Sequence, residues 1–317
     1  MSMAPSLPQP GPEYRAGVQI GFAIPHSGSW ATPDNVLHVA TRAEELGYSS
    51  LWTFQRLLSP VDGAWGEMYR SVADPMVTLG YAAAITTQIR LGVAVVNMPF
   101  VSPVLLAKQA ATVDLLSKGR LDLGLGLGWA DEEYAAAGAS KERVGRRSEE
   151  FIKVVRTLFT APVAEFEGEF YRIPRTSFEP KPTSPPPILL GGTAPAALKR
   201  AGRLADGWVS SSRADLVHIG ESIGIVKAAG EAAGRDPSAL RFVTRGAVRV
   251  RADGERRPLT GTLDQIRSDF EDLAAQGVTE VFVDLNFDPE VGSPDADPAV
   301  SMRRADEALA ALAPSTT

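Results

Sequence analysis

Four short stretches of this chain carry side chains able to do chemistry. Pro25-His26-Ser27-Gly28 follows a short apolar run and places an imidazole just past it. An imidazole titrates near neutral pH and can serve as general acid or base. Set against that is the plainer reading of a surface loop histidine. Gln55-Arg56 follows a second apolar run and offers an amide and a guanidinium. Asn97 closes a third run, Val95-Val96-Asn97-Met98-Pro99, where one amide at the mouth of an apolar strand is a place to hold a flat ring. Gly191-Gly192-Thr193 follows a fourth run and precedes a helix whose first turn contains Pro195. Free amides at a helix start, a flexible glycine pair and a hydroxyl make an anion site. The competing reading is an ordinary tight turn capped by Thr193.

These residues need elements to position them. The stretch Arg90–Trp129 reads as strand, amphipathic helix, strand, the repeating unit of a parallel α/β fold. The same rhythm recurs along the chain. Strands are expected at 18–24, 50–54, 90–97, 119–127, 188–190, 207–210, 241–250 and 278–285, with a helix after each. Thr32-Pro33 and Asp74-Pro75 are helix starts, each an N-cap followed by Pro at the first turn. Thr262 with Gln265 reads as a capping box. The segment 162–187 breaks the rhythm with EFEGEFYRI, a hairpin-like insertion, and a Pro-rich stretch. The loop 57–71, with its Gly, Trp and Tyr residues, reads as a structured lid. Eight strand–helix units predict a (β/α)₈ TIM barrel, which puts functional groups at the C-terminal strand ends. A doubly wound open sheet uses the same right-handed units and stays open as the alternative.

Gly124-Leu125-Gly126-Leu127-Gly128 lacks the spacing of a dinucleotide fingerprint. Glycines alternating with leucines share one face of a strand. They give room either to a crowded barrel interior or to a flat ring at the strand end. Trp52 and Trp208 fall in strands and read as packing residues. Trp30, Trp65 and Trp129 fall beyond strand ends, where they could wall a substrate. Asp131-Glu132-Glu133 reads chiefly as carboxylates favoured by a helix start.

Composition removes several function classes. The chain has 317 residues, 44% of them hydrophobic, enough for a large core. It has no cysteine, which excludes disulfides, thiol nucleophiles and thiolate metal sites. The three histidines, His26, His38 and His218, are too scattered to predict a metal site. A net charge of -6 without a long basic run argues against nucleic acid. Residues 1–16 are Pro-rich and read as a disordered leader, ahead of one barrel domain over 17–313. No apolar run is long enough to span a membrane, so a soluble cytoplasmic protein is expected.

The motifs together resemble the luciferase-like monooxygenase superfamily, in particular its coenzyme F420-dependent oxidoreductases. The resemblance rests on IGFAIPHSG, AEELGYSSLWTFQRL, TTQIRLGVAVVNMP, SPVLLAKQAATVDLLSKGRLDLGLGLGWADEEY, PPPILLGG and LADGW, in order over residues 17–312. It implies a TIM barrel with a deep pocket and a flavin-type ring at the end of the third strand. It implies a non-prolyl cis peptide at Ala94–Val95 bulging against one ring face, and Asn97 as a ring contact. Leu127 and Gly128 match a segment beside the ring, and Gly191, Gly192 and Thr193 match the phosphate loop. Many deazaflavin enzymes carry Asp-His where this chain has Gln55-Arg56, so a histidine acid there is missing and that catalytic assignment does not carry over. An arginine that contacts the FMN phosphate in luciferase-type members matches Leu127, which leans away from FMN.

The expectation is an oxidoreductase that moves a hydride between F420 and a small organic substrate. Gln55, Ala94, Val95, Asn97, Leu127, Gly128, Gly191, Gly192 and Thr193 would hold the cofactor, and His26 or Arg56 would polarise or protonate the substrate. A reduced-FMN-dependent monooxygenase is the alternative, and a non-catalytic flavin-binding barrel a third reading. The family often forms homodimers.

Overall fold

Arg90–Asn97, the longest strand of the barrel, pairs along both edges with parallel neighbours, and the sheet it belongs to closes on itself. The computed structural model describes residues 18–252 and 256–314; the expected leader at 1–16 lies outside them. The barrel strands are β1 (Gln19–Ala23), β2 (Ser50–Thr53), β3 (Arg90–Asn97), β4 (Leu121–Gly126), β5 (Ile188–Gly191), β6 (Gly207–Val209), β7 (Arg241–Ala247) and β8 (Glu280–Asp284). Each pairs in parallel with the next, and β8 pairs with β1. Closure settles the choice against an open sheet.

The helices between them are α1 (Pro33–Glu45), α2 (Pro75–Ile85), α3 (Pro103–Ser117), α4 (Val144–Thr160), α5 (Pro195–Leu204), α6 (Ile219–Ala232), α7 (Leu263–Ala275) and α8 (Pro298–Ala311). Four of them start alike. Thr32, Asp74, Ser102 and Asp297 cap α1, α2, α3 and α8, with Pro in the first turn. A side-chain oxygen satisfies an orphan amide, and Pro has no amide to waste there. The capping box forms at Thr262 and Gln265. α1 buries Val36, Val39, Ala40 and Ala43 at helical spacing against the barrel.

Differences from the sequence reading are local. The charged run 131–159, which reads as helical with a break near Gly138, does divide there into Asp131–Ala136 and α4, with Gly138 at φ 62°. β7 stops at Ala247, and Arg249–Val250 leaves the barrel to pair with Thr260–Gly261. The sequence from Ser222 to Gly234 reads as helical, and α6 begins three residues earlier, at Ile219. The insertion does form a hairpin, Ala164–Glu167 antiparallel to Arg172–Thr176.

Inside the barrel, Ala23, Trp52, Ala94, Leu189, Val209, Val243 and Phe282 pack together. Trp52 stacks on Phe282 with centroids 4.9 Å apart. This apolar layer separates two polar ends. The N-terminal end is closed by ions: Asp122, fully buried, accepts from Arg90 Nε at 2.9 Å and Arg241 Nη1 at 2.6 Å. Arg241 also reaches Glu280, which takes hydrogen bonds from Ser50 and Trp52. Burial alone would push the Asp122 carboxyl up, but Arg241 and Arg90 outweigh it and hold it down at about 2.

Candidate active site

The C-terminal end is open. A cavity of about 510 Å³ lies among the strand ends, within the range of small-molecule sites. Gln55, Arg56, Ala94, Val95, Asn97, Leu127, Gly128, Gly191, Gly192 and Thr193 all line it. Ten of the eleven residues singled out from sequence are thus brought to one place.

The wall at β3 and β4 is shaped by backbone. The β3–β4 register shifts between Val93 and Val96, and the Ala94–Val95 peptide bond is cis. The glycines opposite leave room: a Cβ on Gly124 would lie 2.0 Å from the Val93 carbonyl oxygen, and one on Gly126 would lie 2.4 Å from Val95 Cγ2. Gly124 therefore makes room for the β3 backbone, and Gly126, which also lines the cavity, makes room for the Val95 side chain. Gln55 Oε1 accepts from Asn97 N at 2.8 Å, which ties the loop after β2 to the end of β3.

The wall at β5 and β6 is rich in donors. Gly192 has φ 128°, a conformation that favours glycine, and its carbonyl accepts from Trp208 Nε1 at 2.8 Å. Thr193 does not cap α5; Ala194 stands at the cap without a side-chain bond, so the first amides of α5 lack that partner. Because Gly191 pairs with Val209, the residues after β6 lie alongside, and Ser210, Ser211, Ser212 and Arg213 line the cavity there. These were not picked out from sequence. The signal was present as three hydroxyls and an arginine directly after a strand.

Arg245 was also missed. It projects from β7, is 5% exposed, and lines the cavity. Its Nη1 donates to Asp284 at 2.6 Å and its Nη2 to the Ala94 carbonyl. Burial pushes the Asp284 carboxyl up while Arg245 opposes it. An arginine inside the otherwise apolar FVTRGA strand was the available clue.

The third wall is aromatic. Arg56 lies within 4.6 to 5.4 Å of the Trp129, Tyr69 and Trp65 ring centroids, a cation–π arrangement. Trp65 and Tyr69 come from the loop 57–71, which acts as the expected structured cover. Glu133, fully buried, accepts from Arg56 Nη1 at 2.6 Å and from Leu57 N at 2.7 Å. Glu133 thus departs from the helix-start reading given to its trio, and Asp131 pairs instead with Lys141. Burial draws the Arg56 pKa down and Glu133 draws it up.

Two expectations are corrected. His26 is fully buried and does not line the cavity; its Nε2 lies 2.6 Å from the Phe54 carbonyl oxygen. Desolvation lowers its pKa to about 4, so it is neutral at pH 7 and stands behind the wall. Trp30 is fully buried in the core and walls no substrate. His38 and His218 are solvated partners of Asp306 and Asp215. Among the described residues there is no cluster able to hold a metal, and no helix long and apolar enough to cross a membrane.

The chemistry of the lining is one-sided. Among the described residues three arginines line the cavity, Arg56, Arg213 and Arg245, the first and last paired with the buried Glu133 and Asp284, and no carboxylate or imidazole does. Such a site binds anions and electron-rich oxygens well and is poorly equipped for carboxylate or histidine acid–base work.

Comparison with known proteins agrees with this geometry. Residues 12–279 match the luciferase-like monooxygenase family. An uncharacterised protein of Mycobacterium tuberculosis is 33% identical over 272 residues, covering 82% of this chain and 88% of that protein. The F420-dependent hydroxymycolic acid dehydrogenase of the same organism is 30% identical over 239 residues, covering 74% of this chain and 63% of the dehydrogenase. Among solved structures, the monooxygenase RslO1 from Streptomyces bottropensis superposes with a TM-score of 0.76 at 22% identity, covering 93% of this chain and 98% of that one. The chain belongs to the luciferase-like monooxygenase family.

Proposed function

We propose that this luciferase-like protein is an oxidoreductase that uses coenzyme F420 to exchange a hydride with a small organic substrate. The observation that carries the proposal is the pairing, in one cavity, of a glycine-lined slot at Val95, Gly126 and Gly191 with a donor-rich wall at Thr193 and Ser211–Arg213. A flat ring with a phosphate-bearing arm needs both. The donor set fits: hydroxyls, helix-start amides and a guanidinium suit a phosphate, and the slot suits a ring. The relative named as an F420-dependent dehydrogenase supports this cofactor over FMN.

When bound, the deazaflavin supplies two-electron hydride chemistry at a ring carbon. The chain's own residues bind, orient and exclude water. Asn97 would hydrogen-bond the ring, with its backbone pinned by Gln55. Gly191, Gly192, Thr193, Ser211, Ser212 and Arg213 would hold the phosphate. Arg245 fixes the Ala94 carbonyl and so holds the β3 wall in place. Arg56 stays charged at any working pH, so it polarises a substrate oxygen and does not deliver a proton. His26 is a positioning residue: neutral, it fixes the Phe54 carbonyl and through it the adjoining Gln55-Arg56 segment.

The test is a titration of purified protein with oxidised F420, reduced F420 and FMN, followed by fluorescence quenching, with oxygen uptake monitored in parallel. The proposal expects tighter binding of F420 and no oxygen uptake. Tighter binding of FMN with oxygen-dependent turnover would overturn it.

A further inference from the structure

The guanidinium of Arg56 has more donors than partners. Its side chain is 8% exposed, yet among the described residues only Nη1 is engaged, by Glu133. Nε is buried with no partner. A buried donor without an acceptor is costly, so a ligand or water oxygen belongs near this group. Around it stand Trp65, Tyr69 and Trp129, and Phe54 and Phe287 continue the apolar lining. Trp129 is 46% exposed and carries Arg213 at 5.8 Å from its ring, so the group sits near the mouth. Glu133 holds Arg56 by one nitrogen and takes Leu57 N with its other oxygen, which aims the guanidinium and leaves Nε without an acceptor.

We infer that Arg56 and its aromatic surround form a substrate subsite for a carboxylate attached to a flat apolar body. Three features carry this inference. Among the described residues the lining holds three arginines and no acid; Glu133 and Asp284, buried behind the wall, pair with Arg56 and Arg245, so what faces the cavity is guanidinium donors that suit an anion and no acceptor carboxylate that would suit a cation. A planar guanidinium matches a carboxylate in shape and charge, and such bonds are about twice as strong as neutral ones. The rings exclude water from that bond and offer faces for an apolar body. The other cationic group near the mouth, Arg213, sits beside the hydroxyls after β6 and is assigned to the phosphate. The inference deepens the proposed function, since it rests on a separate cofactor occupying the rest of the cavity.

Isothermal titration calorimetry with benzoate and with benzamide, its neutral isostere, tests this on the unaltered protein, alone and after saturation with F420. The subsite predicts benzoate binding at least about tenfold tighter than benzamide, retained when F420 is present. It also predicts at least a tenfold loss of benzoate affinity in Arg56→Gln, partly restored in Arg56→Lys. Equal affinity for benzoate and benzamide would overturn it, whether or not any variant folds. Displacement of benzoate by F420 would also overturn it, by giving Arg56 to the cofactor. If F420 fails to bind while benzoate still discriminates over benzamide, the cofactor reading fails and the anion subsite stands.

Discussion

Arg241 and Arg245 lie four residues apart on β7 and serve opposite ends of one barrel. Arg241 is enclosed by Asp122 and Glu280, in a plug where arginines, carboxylates, a serine and an indole bond one another. Arg245 meets one carboxylate and a backbone carbonyl, and then faces a cavity. Below, charges meet charges, as buried ions must. Above, the aromatic-lined mouth leaves an arginine only partly engaged, and the helix start at Ala194 has no side-chain cap. At the mouth, the donor left over on Arg56 stands at the cavity wall, where a ligand would meet it. Groups fully matched mark where the fold is held.

That contrast can be broken from either end. The largest effect is expected below. Asp122→Ala strips the counter-ion from two arginines and should cost about 3–5 kcal/mol of stability, read from urea denaturation midpoints, while the folded fraction keeps its F420 affinity. Loss of F420 binding with unchanged stability would reverse the roles of the two ends. The same carboxylate sets an acid limit. Its folded pKa lies below the unfolded value, so its contribution is present above pH 4 and is lost as pH falls from about 4 towards 2.

Next comes His26, behind the upper wall. Its folded pKa of about 4 lies below the ordinary 6.5. The unfolded chain therefore binds a proton first, and stability should fall as pH drops from about 6.5 to 4, by about 3 kcal/mol at most. Thermal melts across that range check it, and His26→Gln should flatten the slope. An unchanged slope would mean that another group carries it. A smaller effect is expected at the phosphate wall. Arg213→Gln should weaken F420 about tenfold, near 1.4 kcal/mol, with no change in melting temperature. The smallest is a control on the surface: Glu45→Ala removes an exposed pair with Arg42 and should shift stability by less than about 0.5 kcal/mol.

Much of this is legible in the sequence. Buried parallel strands read as continuous apolar runs bounded by caps and glycines, which is why Arg90–Asn97 came out to the residue. Barrel logic then sent Gln55, Asn97 and Gly191 to one end. The parts that stayed hidden depend on partners far along the chain. Glu133 meets Arg56 across 77 positions, and Arg245 reaches Ala94 across 151. His26 follows a strand end as an active-site residue would, yet the Phe54 carbonyl and the packing around it turn the imidazole inward. Periodicity describes which face a residue takes; it does not describe what closes over that face.

The most direct test of the account is a crystal structure of the protein with oxidised F420. It should show the ring in contact with Val95, Asn97 and Gly126, and the phosphate against Thr193 and Ser211–Arg213, with the lower ion plug unchanged. A ring bound outside this cavity, or a phosphate held by Arg56 and not by the β5–β6 wall, would contradict it.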